Sequence, residues 1–362
     1  MLTRLPRRAD ISEFDSTGAG DPDGSVFGLP FAADESSVVL LPVPWEATTS
    51  YGRGTAHGPA AIRAASPQLD LFDVELVELG LGQPWQFGIH MLDESSRVRA
   101  WNEHACARAL PVVAAGGVLG DDSALLSALT DVNNLSRELD RWVEQEVAAG
   151  LDEGRIIGVV GGDHSVSLGA IAAHAARFPG LGILHIDAHA DLRAAYEGFE
   201  RSHASILRNV LTRTGGIERV VQVGVRDVSL EEYEFSRTDP RLVTHYEAAI
   251  RRRLGEGGTW AQQCAMMVDA LPQQVYVTFD IDGLDPMLCP STGTPVPGGL
   301  SFAEASSLLC ALVRAGKTVV GFDLVEVAPS GRVGDEWDGN VGARVLYKLC
   351  GVALASQGAR DG

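Results

Sequence analysis

The chain of 362 residues carries a formal charge of −19, is 45% hydrophobic and contains 41 glycines. That acidity excludes nucleic acid or an anionic membrane as the main partner and favours approach of a cationic ligand. Five cysteines, odd in number, widely spaced and without a C-x-x-C pair, exclude a disulfide framework and fit a reducing compartment.

Residues 1–36, rich in Gly, Pro, Asp and Ser, form an extension that is either disordered or draped over a neighbouring subunit. They lack the apolar core of a signal peptide, and no apolar run reaches the roughly 20 residues that span a bilayer. A cytoplasmic location is therefore expected. Residues 37–44 predict the first buried strand, and 45–54 are too polar and Gly-rich for an element. A helix is expected from Gly58-Pro59, with Pro at its first position, through Ala65. Short strands and turns fill 69–92, and the stretch to 121 shows no readable pattern. Leu135, Leu139, Trp142, Val143 and Val147 recur at helical spacing, so a long amphipathic helix ends near Gly150.

From there the chain alternates. Strands are expected at 155–160, 182–188, 219–225, 241–245, 275–282 and 318–327. Helices are expected at 166–177, 203–212, 246–254, 259–271, 302–315 and 338–355. Such alternation means a parallel sheet covered by helices on both faces. It gives one domain, 37–356, followed by a short tail at 357–362.

Three strand ends finish in ligand-type residues. The first strand runs into Gly161-Gly162-Asp163-His164-Ser165, where two glycines permit a sharp turn. His164 there is either a ligand or a packed histidine at a helix start. The second runs into Asp187-Ala188-His189-Ala190-Asp191. Residues i, i+2 and i+4 of an extended chain share a face. Asp187, His189 and, if extension persists, Asp191 then converge beyond the strand's carboxyl end, where open α/β sheets bind ligands. The alternative is a buried strand running into an acidic turn. The third strand ends with Asp280 and Asp282 on one face. Two imidazoles and four buried carboxylates require compensating positive charge, which two divalent cations provide. Oxygen-rich ligands with imidazole suit Mn²⁺, with Ni²⁺ or Co²⁺ also accepted, and the lack of thiolates disfavours structural zinc. Two such ions about 3.5–4 Å apart activate a bridging water.

Those motifs, with Phe279-Asp280-Ile281-Asp282-Gly283-Leu284-Asp285-Pro286 as the third, resemble the three signatures of the ureohydrolases. That family includes arginase, agmatinase, guanidinobutyrase and guanidine hydrolase, and the similarity runs in order from about Val38 to Leu354. The resemblance implies a three-layer α/β/α fold with an eight-stranded parallel sheet and a binuclear manganese or nickel centre. It also implies a homo-oligomer, trimer or hexamer, and a small cationic guanidino substrate cleaved to urea by metal-activated water. By motif position one metal would take His164, Asp187, Asp191 and Asp280, and the other His189, Asp187, Asp280 and Asp282. Asp187 and Asp280 would then bridge, and Asp191 also counts among the catalytic residues. Glu326 matches the carboxylate that orients the guanidinium; without the family it is a salt-bridged glutamate at a strand end. His203 matches the histidine that passes protons to the leaving amine; without the family it is a helix-start histidine.

Arginases carry an Asn- and Ser-containing loop after the second motif, which this chain replaces with the segment from Leu192 to His203. The resemblance therefore disfavours arginine. Tyr196-Glu197-Gly198-Phe199 and Ser202-His203-Ala204-Ser205 are similar to the agmatinase branch, which places Tyr196 among the substrate contacts. Residues 44–50 and 336–344 are similar to guanidine-hydrolase-like members. The expected substrate is therefore guanidine or a small alkylguanidine, with Trp337 narrowing the pocket around it unless that side chain only packs the last helix. Agmatine and 4-guanidinobutanoate are the longer alternatives. Histone-deacetylase-like enzymes share the fold and an Asp-x-His pair but use one zinc, so a metal count separates them. A non-catalytic partner subunit should have lost ligands, and all six are present.

Overall fold

The computed structural model describes residues 14–18 and 20–361. Eight strands form one sheet: β1 (Val38–Val43), β2 (Ile89–Met91), β3 (Ile156–Gly161), β4 (Leu181–Ile186), β5 (Ile217–Val223), β6 (Leu242–His245), β7 (Gln274–Asp280) and β8 (Thr318–Val325). All pairings are parallel, in the order β2-β1-β3-β8-β7-β4-β5-β6. Parallel neighbours cannot be joined by tight turns, so helices carry the chain back and cover both faces. After β3 the chain skips to β4, builds outward to β6, then returns to insert β7 and β8 between β4 and β3. The four innermost strands are therefore β3, β8, β7 and β4. Three of them bear the motifs, and β8 leads into Glu326.

Alternation along the strands makes two cores. Val38, Leu40, Leu184, Ile186, Val277, Phe279 and Phe322 pack with residues of the helices Gly58–Ala65, Phe302–Arg314 and Trp337–Ser356. Val39, Leu41, Ile157, Ile183 and Tyr276 pack with the helices Ser123–Asp152, Ser167–Arg177 and Ile206–Arg213. The result is the expected three-layer α/β/α architecture around eight parallel strands. Among the described residues no helix is long and apolar enough to cross a membrane.

Three departures have physical reasons. The unreadable stretch holds a helix of 19 residues, Ser96–Ala114, whose buried positions are only Val98, Ala105, Ala109 and Val112. Alanines leave no apolar stripe to read, and Pro111 lies inside the helix. The helix Leu230–Thr238 buries only Glu232 and is held by a capping box between Ser229 and Glu232. The amino-terminal extension is a correction. Val26, Phe27, Leu29 and Phe31 are buried in this chain's own core, with the Phe27 and Tyr347 rings 5.0 Å apart. Phe14 packs on Trp85, and the part of the expected extension at 1–13 lies outside the described residues. The tail is tied down as well, Asp361 accepting from the backbone N–H of Gly82 and Gln83.

Candidate metal centre

The ligand candidates sit at the carboxyl ends of β3, β4 and β7. Past β4 the chain is no longer extended, because the strand ends at Ile186 and Asp191 has a φ of 55°. A left-handed turn, rather than continued alternation, swings Asp191 toward β3. Its carbonyl accepts from the N–H groups of Leu207 and Arg208, fixing the turn to the next helix. Glu326 also has a positive φ, 63°, and is pinned by Glu326 N–H to Gly162 O and by Thr292 Oγ–H to Glu326 O. Of the four non-glycine residues with positive φ among the described residues, two are thus candidates for the site. Over-determined strain of this kind gathers at functional centres.

All six ligand candidates come together around two foci. His164 Nδ1 lies 3.0 Å from Asp187 Oδ2, 3.1 Å from Asp191 Oδ2 and 3.3 Å from Asp280 Oδ2. His189 Nδ1 lies 3.1 Å from Asp282 Oδ2 and 3.4 Å from Asp187 Oδ1. Backbone N–H groups aim the carboxylates. His189 N–H donates to Asp187 Oδ1, Asp282 N–H to Asp280 Oδ1, and Ala188 N–H to Asp282 Oδ1. The Oδ2 atoms of Asp187, Asp191 and Asp280 remain aimed at His164, and that of Asp282 at His189. The guanidinium of Arg226 steadies the last turn by donating to the carbonyls of Asp282 (2.7 Å), Leu284 (3.1 Å) and Val296 (3.0 Å).

The donor set fits divalent cations, and His164 provides the observation. Asp323 Oδ1 accepts from Phe279 N–H and from Thr278 Oγ–H. Thr278 Oγ1 must then accept from His164 Nε2–H, 2.8 Å away. The exchangeable position on the ring is therefore Nδ1, which is buried and makes no well-aligned hydrogen bond to any one of the three carboxylates it faces. With protein groups alone, the facing carboxylates hold a proton there, pushing the imidazole up in spite of burial. A cation would take that proton's place. The carboxylates divide: burial opposes it, but the imidazoles of His185, His164 and His189 hold Asp187 well below its usual range. Burial, then Asp282 and Asp187, pushes Asp280 far up, while burial and Asp187 bring Asp191 to about 6. Burial, then the carboxylate of Asp163, raises Glu326 as well. Such a set is incomplete without added positive charge.

Above the foci lies a cavity of about 160 Å³, lined by His189, Asp191, Tyr196, His203, Asp227 and Glu232, among others. The Tyr196 ring meets His203 edge-on with centroids 6.0 Å apart. His203 Nδ1 is buried without a partner, and burial followed by His189 and His164 brings this imidazole down to about 4. Glu326 is buried beside the foci. Its Oε1 accepts from His164 N–H at 2.9 Å, and its Oε2 faces Gly293. Gly52 N–H donates to Gly293 O, and a Cβ on Gly52 would stand 2.6 Å from that oxygen. Glycine at 52 is what lets the 45–54 loop close against the site.

Trp337 is not brought in. It is half exposed at the start of the last helix, its Nε1–H donates to Met287 O, and it is not among the residues lining the cavity. Sequence reasoning also missed His185, Gln222, Thr278, Asp323 and Arg226. His185 and Thr278 were within reach, since each lies two residues before a ligand candidate and on the same strand face.

Fold and site together define a parallel α/β protein whose central strand ends gather a His/Asp cluster suited to two divalent cations. Comparison with known proteins carries this further. Residues 36–351 match the model of the arginase family. An N(1)-aminopropylagmatine ureohydrolase of Thermus thermophilus is 33% identical over 319 residues, 88% of this chain and 91% of the relative. An agmatinase of Bacillus anthracis is 31% identical over 296 residues, 82% of this chain and 85% of the relative. The solved structure of proclavaminate amidino hydrolase from Streptomyces clavuligerus superposes with a TM-score of 0.66 at 24% identity, covering 97% of this chain and 99% of that one. Arginase from Bacillus subtilis gives 0.60 at 22%, covering 87% and 98%. The chain belongs to the arginase family of ureohydrolases.

Proposed function

We propose that this enzyme hydrolyses the guanidino group of an agmatine-like substrate, one with a cationic tail, to urea and an amine. Two divalent cations would be held by His164, Asp187, Asp191 and Asp280 and by His189, Asp187, Asp280 and Asp282. When bound they would supply activated water and offset the carboxylates. The observation that carries this reading is the buried Nδ1 of His164 facing three carboxylate oxygens.

The chain's own groups have separate tasks. Glu326 offers its free carboxylate oxygen to the planar guanidinium, whose charge draws the glutamate into its ionised form. His203, whose imidazole is neutral, would first take a proton from the attacking water and then pass it to the leaving amine. Tyr196 packs on His203 and holds its ring. For the tail, Asp227 lines the cavity beside Arg193 and Glu232, whose own charges face each other at 3.5 Å. Asp227 is thus the carboxylate left for a cation, and the printed names of two relatives contain agmatine or a longer polyamine form of it. Trp337, which would narrow the pocket around guanidine itself, is not among the residues lining the cavity. Mn²⁺ or Ni²⁺ as the metal and a trimer or hexamer as the assembly belong to the same proposal.

Urea release from agmatine, N(1)-aminopropylagmatine, 4-guanidinobutanoate, arginine and guanidine, after separate loading with Mn²⁺ and Ni²⁺, tests it. The expected order places the amine-tailed substrates first and arginine low. Highest kcat/KM for guanidine would overturn the tail assignment, and no urea from any substrate would overturn the activity.

A further inference from the structure

Five residues form one lateral row across the sheet. Thr244, Gln222, His185, Thr278 and Asp323 are register partners on β6, β5, β4, β7 and β8. They share a face, and His185 and Thr278 stand two residues before Asp187 and Asp280, hence directly beneath them. Gln222, His185, Thr278 and Asp323 are fully buried. A polar row in a sheet interior is tolerated only when its groups are bonded, and the bonds here determine where the protons are.

Gln222 Nε2 lies 2.8 Å from Ala190 O, which can only accept, so the amide is oriented with its nitrogen on that side. Its Oε1 accepts from Thr244 Oγ–H at 2.8 Å. The second hydrogen of Nε2 faces His185 Nδ1 at 3.2 Å, so that nitrogen accepts and the ring's proton is on Nε2. His185 Nε2 lies 2.8 Å from Asp187 Oδ2. We propose that His185 is a positioning residue for Asp187, donating Nε2–H to the carboxylate that the two metal foci share, and that Gln222 selects the tautomer.

The competing role is that of a ligand, since His185 lies with His164, Asp187 and Asp191 in a group able to hold a metal ion. A nitrogen that holds a proton has no lone pair to give, and Gln222 keeps the proton there. Gln222 also anchors Ala190 between His189 and Asp191, so one side chain steadies the bridging carboxylate and the ligand-bearing turn. The inference rests on the two-metal reading above.

Metal-free protein titrated with Mn²⁺ by calorimetry, with metal counted after gel filtration, distinguishes the roles. The variants are His185→Phe, His185→Gln and Gln222→Met, and melting of the metal-free forms monitors folding. His185→Phe should still bind two Mn²⁺ but about 10–100-fold more weakly, the usual cost of losing a ligand's partner. His185→Gln, whose amide N–H reaches the same place, should recover most of the affinity, and Gln222→Met should lose about tenfold. A count that falls to one in His185→Phe without rescue by Gln would make His185 a ligand and overturn the proposal. Unchanged affinity in His185→Phe would overturn it too. Should His185→Phe not fold, Gln222→Met decides: weakened binding supports the proposal and unchanged binding overturns it. Fewer than two Mn²⁺ in the wild type would instead remove the two-metal reading on which it rests.

Discussion

The two faces of the sheet are built by the same strands and do opposite things. On one face Leu184, Ile186, Val221, Val223, Val277, Phe279, Phe322 and Leu324 stay apolar up to the strand ends. On the other, the corresponding rows change to His185, Gln222, Thr278 and Asp323, then to Asp187 and Asp280 at the crevice. Apolar burial is non-directional, so the first face stabilises the sheet without aiming anything. Buried polar groups are stable only when each bond is directed, so the second face fixes where side chains point. One face holds the fold; the other aims the ligands.

The largest expected effect comes from breaking the aimed face at its end. Asp280→Ala should lose metal and nearly all activity together, well beyond the 10–100-fold typical of groups that only support a ligand. Two tightly bound metals in that variant, measured by elemental analysis, would contradict the ligand assignment. His203→Ala should lower kcat by about 10²–10⁴-fold with metal content intact; an unchanged rate and pH profile would return it to a helix-start histidine.

The apolar face should respond in stability instead. The Phe322 ring covers Gly158, where any Cβ would stand 2.3 Å from it. Phe322→Ala should cost about 3–5 kcal/mol by denaturant unfolding while the folded protein still binds its full count of metal. Smallest of all is Trp337→Ala. With the side chain half exposed and outside the cavity, substrate preference should stay the same within about twofold, a change near 0.4 kcal/mol. A clear rise in kcat/KM for agmatine relative to guanidine would restore Trp337 as a pocket wall.

Much of this contrast was legible in the chain. The continuous apolar runs of β3, β4, β7 and β8 announce strands buried on both faces, and the six ligand types at their ends announce the crevice. The supporting row was harder to see because His185, Thr278 and Asp323 are single polar residues inside apolar runs, and their partners are set by register between strands far apart in sequence. Asp191 reaches His164 through a left-handed turn in place of extended alternation. Trp337 shows the limit of closeness in sequence. It follows Glu326 closely in sequence, yet the intervening loop carries it to the surface, where its indole bonds to Met287 O. The helix Ser96–Ala114 stayed hidden because alanine contacts leave almost no periodic signal.

The aimed face is expected to hold two cations, one at each focus. The most direct measurement is the metal content per chain of Mn²⁺-loaded protein, compared between the wild type and Asp282→Ala, which damages only the His189 focus. Two ions in the wild type and one in the variant are predicted. One ion in the wild type, unchanged by Asp282→Ala, would contradict the account.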